Sequence, residues 1–166
     1  MLICKAFVNS FGDFSVTVDR RKARGVRLQA DHGYSGKELA QKLGIKPWTR
    51  IKTRNAPPNY EQLLGAVPDN VQISARLRRP VDMVHIFSIA RSHLLAELRG
   101  ALEDIEQDGA LWVSWPKKSS GVRTDITEDV IREVALPLGL VDVKVCAVDE
   151  TWSGLKLVIR KANRRN

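Results

Sequence analysis

The sequence predicts an α/β domain whose mostly parallel sheet of about six strands ends in an antiparallel hairpin. Three observations carry this. Strand-like and helix-like apolar periods alternate along the chain from residue 33 onward. The run Ala110-Leu111-Trp112-Val113-Ser114-Trp115 is apolar on both faces, as expected of a strand with helices on either side, and such strands pair in parallel. The last two apolar runs, 141–148 and 155–160, flank Glu150-Thr151-Trp152-Ser153-Gly154, which reads as a hairpin.

Size and composition agree with one folded domain. A chain of 166 residues buries roughly two thirds of its unfolded surface, enough for a core without staples. With 43% hydrophobic and 28% charged residues, neither disorder nor a membrane span is indicated. Two cysteines, Cys4 and Cys146, do not make a disulfide framework, which fits a reducing cytoplasm; Lys5, Asn9 and Asp13 interrupt any export signal in the first residues. The net charge of +8 is spread over both parts of the chain: residues 1–32 hold six basic and three acidic residues, the rest 21 and 16. Such a balance permits polyanion binding without requiring it.

Residues 1–32, with Arg20-Arg21-Lys22-Ala23-Arg24, have no sustained period and read as a basic, disordered or loosely attached leader; residues 33–162 form the domain and 163–166 a basic tail. The domain opens at Tyr34-Ser35-Gly36-Lys37-Glu38-Leu39, where Ser35 and Glu38 have capping-box spacing. The helix they start buries Leu39, Ala40 and Leu43 and stops at Gly44. A strand over 49–54 follows, then a short helix over 60–64, a strand over 71–74, and a strand over 81–87. The next helix recurs at Leu94, Leu98, Ala101, Leu102 and Ile105. Asp108-Gly109 reads as a turn into the Ala110–Trp115 strand. After a polar loop, Asp125 and Glu128 suggest a capping pair for a helix carrying Val130, Ile131 and Val134. Arg50, Lys52 and Arg54 alternate along the first strand and read as solvated stems at a thinly covered face.

The segments GYSGKELAQKLGIKP, NAPPNY, VHIF, DGALWVSWPKKSSGVRTDIT and VDVKVCAVDETWSGLKLVIRK resemble a bacterial family known as domain of unknown function 3052, over about 33–161. That family has no established activity, so the resemblance implies no catalytic residues. More distantly, the order of elements resembles the later part of a Rossmann-like methyltransferase, which implies a reduced Rossmann-like three-layer sandwich. The link from Ser74 to Val81 is too short for a crossover helix and an extra strand.

Open α/β sheets bind ligands beyond the carboxyl ends of their strands. The basic residues expected there are Arg76, Arg78 and Arg79 after the second strand, and Lys117, Lys118 and Arg123 after the Trp115 strand, with Ser119, Ser120 and Thr124 as hydroxyl donors. Trp115 and Trp152 stand beside loops where they can stack on a ligand or cover the core. His32, His85 and His93 share no metal-ligand spacing, so no metal is expected, and His85 and Cys146 read as core residues. Asp149 and Glu150 read as an ordinary turn. The turn Asn55-Ala56-Pro57-Pro58-Asn59 has no glycine, and Ala75-Arg76 follows the second strand where a ribose-binding acid belongs. The leading expectation is therefore a non-catalytic domain for a phosphorylated ligand, nucleotide or nucleic acid, with no cofactor. The alternatives are a reduced S-adenosylmethionine-dependent methyltransferase and a protein-interaction module working through Trp152.

Overall fold

The computed structural model describes residues 36–165; the leader, Tyr34 and Ser35 lie outside the described residues. Six strands form one sheet in the order β2-β1-β3-β4-β6-β5. Their ranges are β1 Arg50–Arg54, β2 Gln72–Ile73, β3 Val81–Phe87, β4 Ile105–Pro116, β5 Leu140–Ala147 and β6 Trp152–Ile159. The first four pair in parallel, and β6 runs antiparallel to both β4 and β5. Helices α1 Leu39–Leu43 and α2 Tyr60–Leu64 cover one face; α3 Arg91–Asp104 and α4 Glu128–Ala135 cover the other. This is the expected three-layer, reduced Rossmann-like sandwich, and no described helix is long and apolar enough to cross a membrane.

Alternation along β3 and β4 builds the two cores. Val84, Ile86, Leu111, Val113 and Trp115 meet Leu94, Leu98 and Ala101 of α3 and Ile131 of α4. Met83, Phe87 and Trp112 meet Leu39, Leu43, Tyr60 and Leu64 on the opposite face. The Trp112 indole donates to the Leu43 carbonyl at 3.2 Å, fixing α1 over β4. Gly44 ends α1 in the left-handed conformation, φ 78°, as its sequence position demands.

The crossover from β2 to β3 holds no helix. The two paired residues of β2 lie level with Arg50 and Ile51, so residues 74–80 need only step past β1 to start β3. Leu77 plugs the α3–α4 core, and the Arg50 guanidinium donates to the carbonyls of Arg78, at 2.9 Å, and Pro80.

Four local readings are corrected. The first-strand cations are not solvated stems: Lys52 Nζ and Arg54 Nη2 sit 2.9 and 2.7 Å from the buried Asp104 carboxylate at the end of α3. Burial raises that carboxyl's pKa, but the bonds and charges of Lys52 and Arg54 outweigh it and hold the group below its ordinary value. Asp108-Gly109 is not a turn. The chain enters β4 directly at Ile105, and an irregularity lets residues 105–110 oppose Val81–Met83. Gly109 lies so near the Asp82 carbonyl that a Cβ would approach it to 2.9 Å. Asp125 does not cap α4: Thr127 does, its hydroxyl accepting from Val130 N at 3.3 Å, while Asp125 accepts from Arg91 N, 2.7 Å, at the start of α3. Glu38 makes no side-chain cap on α1; its carboxylate accepts from Ala66 N at 2.8 Å.

Candidate functional site

From β1 the chain steps outward to β2 and then returns to β3 on the other side, so the direction of winding reverses between β1 and β3. A crevice opens at such a point beyond the carboxyl ends of the two strands. Here it is a pocket of about 340 Å3 lined by Asn55 after β1, Phe87, Ser88 and Ile89 at the end of β3, His93 and Glu97 of α3, and Trp152 of β6.

Each wall has a local cause. Asn55 takes φ 54°, a turn that asparagine tolerates, and its amide donates to Glu97 Oε1 at 2.7 Å. Glu97 Oε2 is buried without a partner among the described residues, leaving an acceptor unsatisfied at this wall. His93 and Glu97 stand one turn apart on α3 and share a face. Phe87 meets Trp152 edge-on at 5.1 Å and stacks on His85 at 4.5 Å.

Behind Phe87, His85 is fully buried between two hydroxyls, 2.9 Å from Tyr60 Oη and 2.7 Å from Ser114 Oγ. Burial pushes its pKa down to about 3 and that of Tyr60 upward, so both are neutral at ordinary pH. The trio bridges α2, β3 and β4 as a satisfied core network, as its apolar strand position implied.

The basic loop after β4 is tied at its two ends to segments next to this pocket, though none of its own residues lines it. Lys117 N donates to the Thr151 carbonyl at 2.8 Å and its ammonium to the Asp149 carbonyl at 2.6 Å, beside Trp152. At the loop's other end, Thr124 Oγ1 donates to the Ile89 carbonyl at 2.7 Å. Ser120 is turned into the loop, donating to the Lys117 carbonyl. Lys117, Lys118, Ser119, Ser120, Arg123 and Thr124 therefore belong to one segment, fastened at one end to the lining residue Ile89 and at the other to Asp149 and Thr151 in the turn before Trp152.

The other expected residues are placed differently. Arg76 opens the crossover beside Ser74, its N–H donating to Ser74 Oγ at 3.1 Å, and Arg78 and Arg79 lie just before β3, at the amino edge. Sequence reasoning grouped them with Lys117 because it could not see that a seven-residue crossover returns to the opposite edge. Trp115 is buried in the α3–α4 core and covers it; Trp152 is half-buried and lines the pocket. Asp149 caps the hairpin turn, accepting from Thr151 N and Trp152 N. Cys146 is half-buried, and burial raises its thiol pKa against the lowering effect of Lys144 and Lys42. Among the described residues no cluster of His, Cys, Asp or Glu is arranged to hold a metal. Asn55, His93 and Glu97 were missed; the Glu97 position, four residues after His93 on a predicted helix, was the available signal.

No family model matches the chain, and no curated protein does. Solved structures do match in fold. A DhpI–SAH complex is 10% identical, covering 75% of this chain and 83% of that one, with a TM-score of 0.54. A SAM-dependent methyltransferase from Aquifex aeolicus is 13% identical, with coverages of 73% and 87% and a TM-score of 0.51. The B. subtilis tRNA methyltransferase TrmK is 11% identical, with coverages of 74% and 65% and a TM-score of 0.50. The fold is thus that of SAM-dependent methyltransferases.

The residues around the crevice fit that cofactor poorly. The turn after β1 contains Pro57 and Pro58, which have no N–H to offer, where a Gly-rich turn would let the backbone approach a nucleoside. After β2 come Ser74, Ala75 and Arg76, with no carboxylate for ribose hydroxyls.

Proposed function

We propose that this chain binds a nucleoside-type ligand carrying an anionic group, such as a nucleotide, at the reversal point between β1 and β3. The observation behind this reading is the fastening of the Lys117–Thr124 loop to Ile89 of the pocket lining at one end and to the turn before Trp152 at the other. Trp152, with the edge of Phe87 behind it, offers an apolar surface to a base, Asn55 and Glu97 offer polar partners, and Lys118 and Arg123 of the adjoining loop are the cations to answer a phosphate. About 340 Å3 lies at the small end of the usual range for ligand pockets, which suits a base with its sugar.

A second reading keeps the site and changes the ligand. Fold likeness favours S-adenosylmethionine, and with it a reduced methyltransferase, over a domain that only binds; the proline turn and the missing carboxylate weigh the other way. Membership of the family resembled in sequence, a bacterial source and a cytoplasmic location are part of the same proposal and rest on the sequence stretches and the two well-separated cysteines.

The test is a thermal-shift panel of nucleotides, S-adenosylmethionine and coenzyme A on the wild type and on K118A/R123A. A ligand at about one hundred times its Kd adds about 2.7 kcal/mol, a shift of several degrees in Tm at this size. A nucleotide shift that disappears in K118A/R123A supports the proposal. A preference for S-adenosylmethionine that survives in the variant supports the methyltransferase. A flat panel overturns both and leaves the protein-interaction reading.

A further inference from the structure

We propose that the amino-terminal edge of the sheet, opposite the pocket, is a separate surface for the phosphodiester backbone of nucleic acid. Two basic stretches far apart in sequence meet there. Arg78 and Arg79 arrive through the short crossover into β3. Because β6 is antiparallel, its end brings Arg160, Lys161, Arg164 and Arg165 to the same edge. Arg79 and Arg165 line one cavity of about 500 Å3 together with Gln107 and Asn163.

The backbone that carries these cations is held in place. Arg160 N donates to the Gly139 carbonyl at 2.9 Å, Arg164 Nε to the Ile159 carbonyl at 3.2 Å, and Arg165 N to Gln107 Oε1 at 2.9 Å. The expected basic tail is therefore strapped across the amino ends of β4 and β5 and the carboxyl end of β6. Arg79 pairs with Glu103 at 3.7 Å, both side chains mostly exposed, and the exposed Asp82, Glu106 and Asp108 lie along the same amino ends of β3 and β4. A pair of that kind contributes little and yields to a phosphate.

The spread of charge selects the ligand. The cations run from β3 across β4 to β6, two strand spacings or about 10 Å, which is wider than one phosphate can bridge. Arginines spread over that distance on an anchored backbone meet successive phosphates and read no base, so binding is independent of sequence and dependent on salt.

The experiment is fluorescence anisotropy of a labelled mixed-sequence single strand of about 15 nucleotides with the full chain, at about 50 and about 200 mM salt. With three phosphates engaged, affinity falls on the order of 20-fold between those salts. R79A/R165A weakens binding about tenfold or more at the lower salt and flattens the salt slope by about 1.4, whereas R79K/R165K retains the slope and K118A/R123A binds as wild type. Equal melting temperatures show that the variants fold. The proposal is overturned if the strand does not bind at the lower salt, if R79A/R165A binds like wild type, or if K118A/R123A is the variant that loses binding. These outcomes are independent of the nucleotide panel, which reads the other edge.

Discussion

His85 shows how one side chain converts burial into a pH response. Its folded pKa of about 3 lies below the ordinary 6.5, so the folded state stays neutral while the unfolded chain takes up a proton. Its contribution to stability is complete above pH 6.5 and is lost as pH falls toward 3, at about 1.4 kcal/mol per pH unit. Urea unfolding should therefore show stability about 2 kcal/mol lower at about pH 5 than at about pH 7, a range in which carboxylates titrate little. His85→Gln costs stability at both values and removes the slope; an unchanged slope would assign the response to another group. The core role of His85 was legible because the residue sits inside an apolar strand. Its partners were not, since Tyr60 and Ser114 lie 25 and 29 residues away and meet it only once α2 packs on the sheet and β4 pairs with β3.

Most elements could be read locally, because period and punctuation are local properties. The β3 and α2 spans agree with the residues that the pattern selects, and Gly44 and Gly65 stop α1 and α2 as their positions imply. The errors arose where two local signals compete. Asp125 and Glu128 have capping spacing, yet Thr127 lies between them and takes the cap, which frees Asp125 for the first turn of α3. Thr127→Ala should cost about 1 kcal/mol in urea unfolding by stranding the Val130 N–H, and Asp125→Ala a similar amount by stranding that of Arg91. Glu128→Ala loses only an ion pair within the helix, to Arg132, and about 0.3–0.5 kcal/mol. If Thr127→Ala were neutral and Asp125→Ala alone costly, the assignment of the two caps would be wrong.

Across the whole molecule, strand order is what sequence reading lacked, and strand order decides which basic residues share an edge. It also sets an uneven stability. Strands β3 and β4 are paired on both sides and nearly continuously buried, whereas β2 has two residues and β5 exposes its middle, from Asp142 to Val145. Amide exchange should follow this map. The amides of β3 and the Ala110–Trp115 part of β4 should open only with global unfolding, while those of β2 and of Asp142–Val145 exchange through local openings, orders of magnitude faster. The irregular step between Asp142 and Lys144 adds to this, because a bulged edge strand forms a weaker ladder. Exchange measured by mass spectrometry on the full chain at low and high protein concentration separates two causes. Fast exchange in β5 at both concentrations means that its weakness belongs to the fold. Protection in β5 equal to that of β4, growing with concentration, would mean that a second copy covers the strand, and an edge with the exposed Val143 and Val145 would then be an interface.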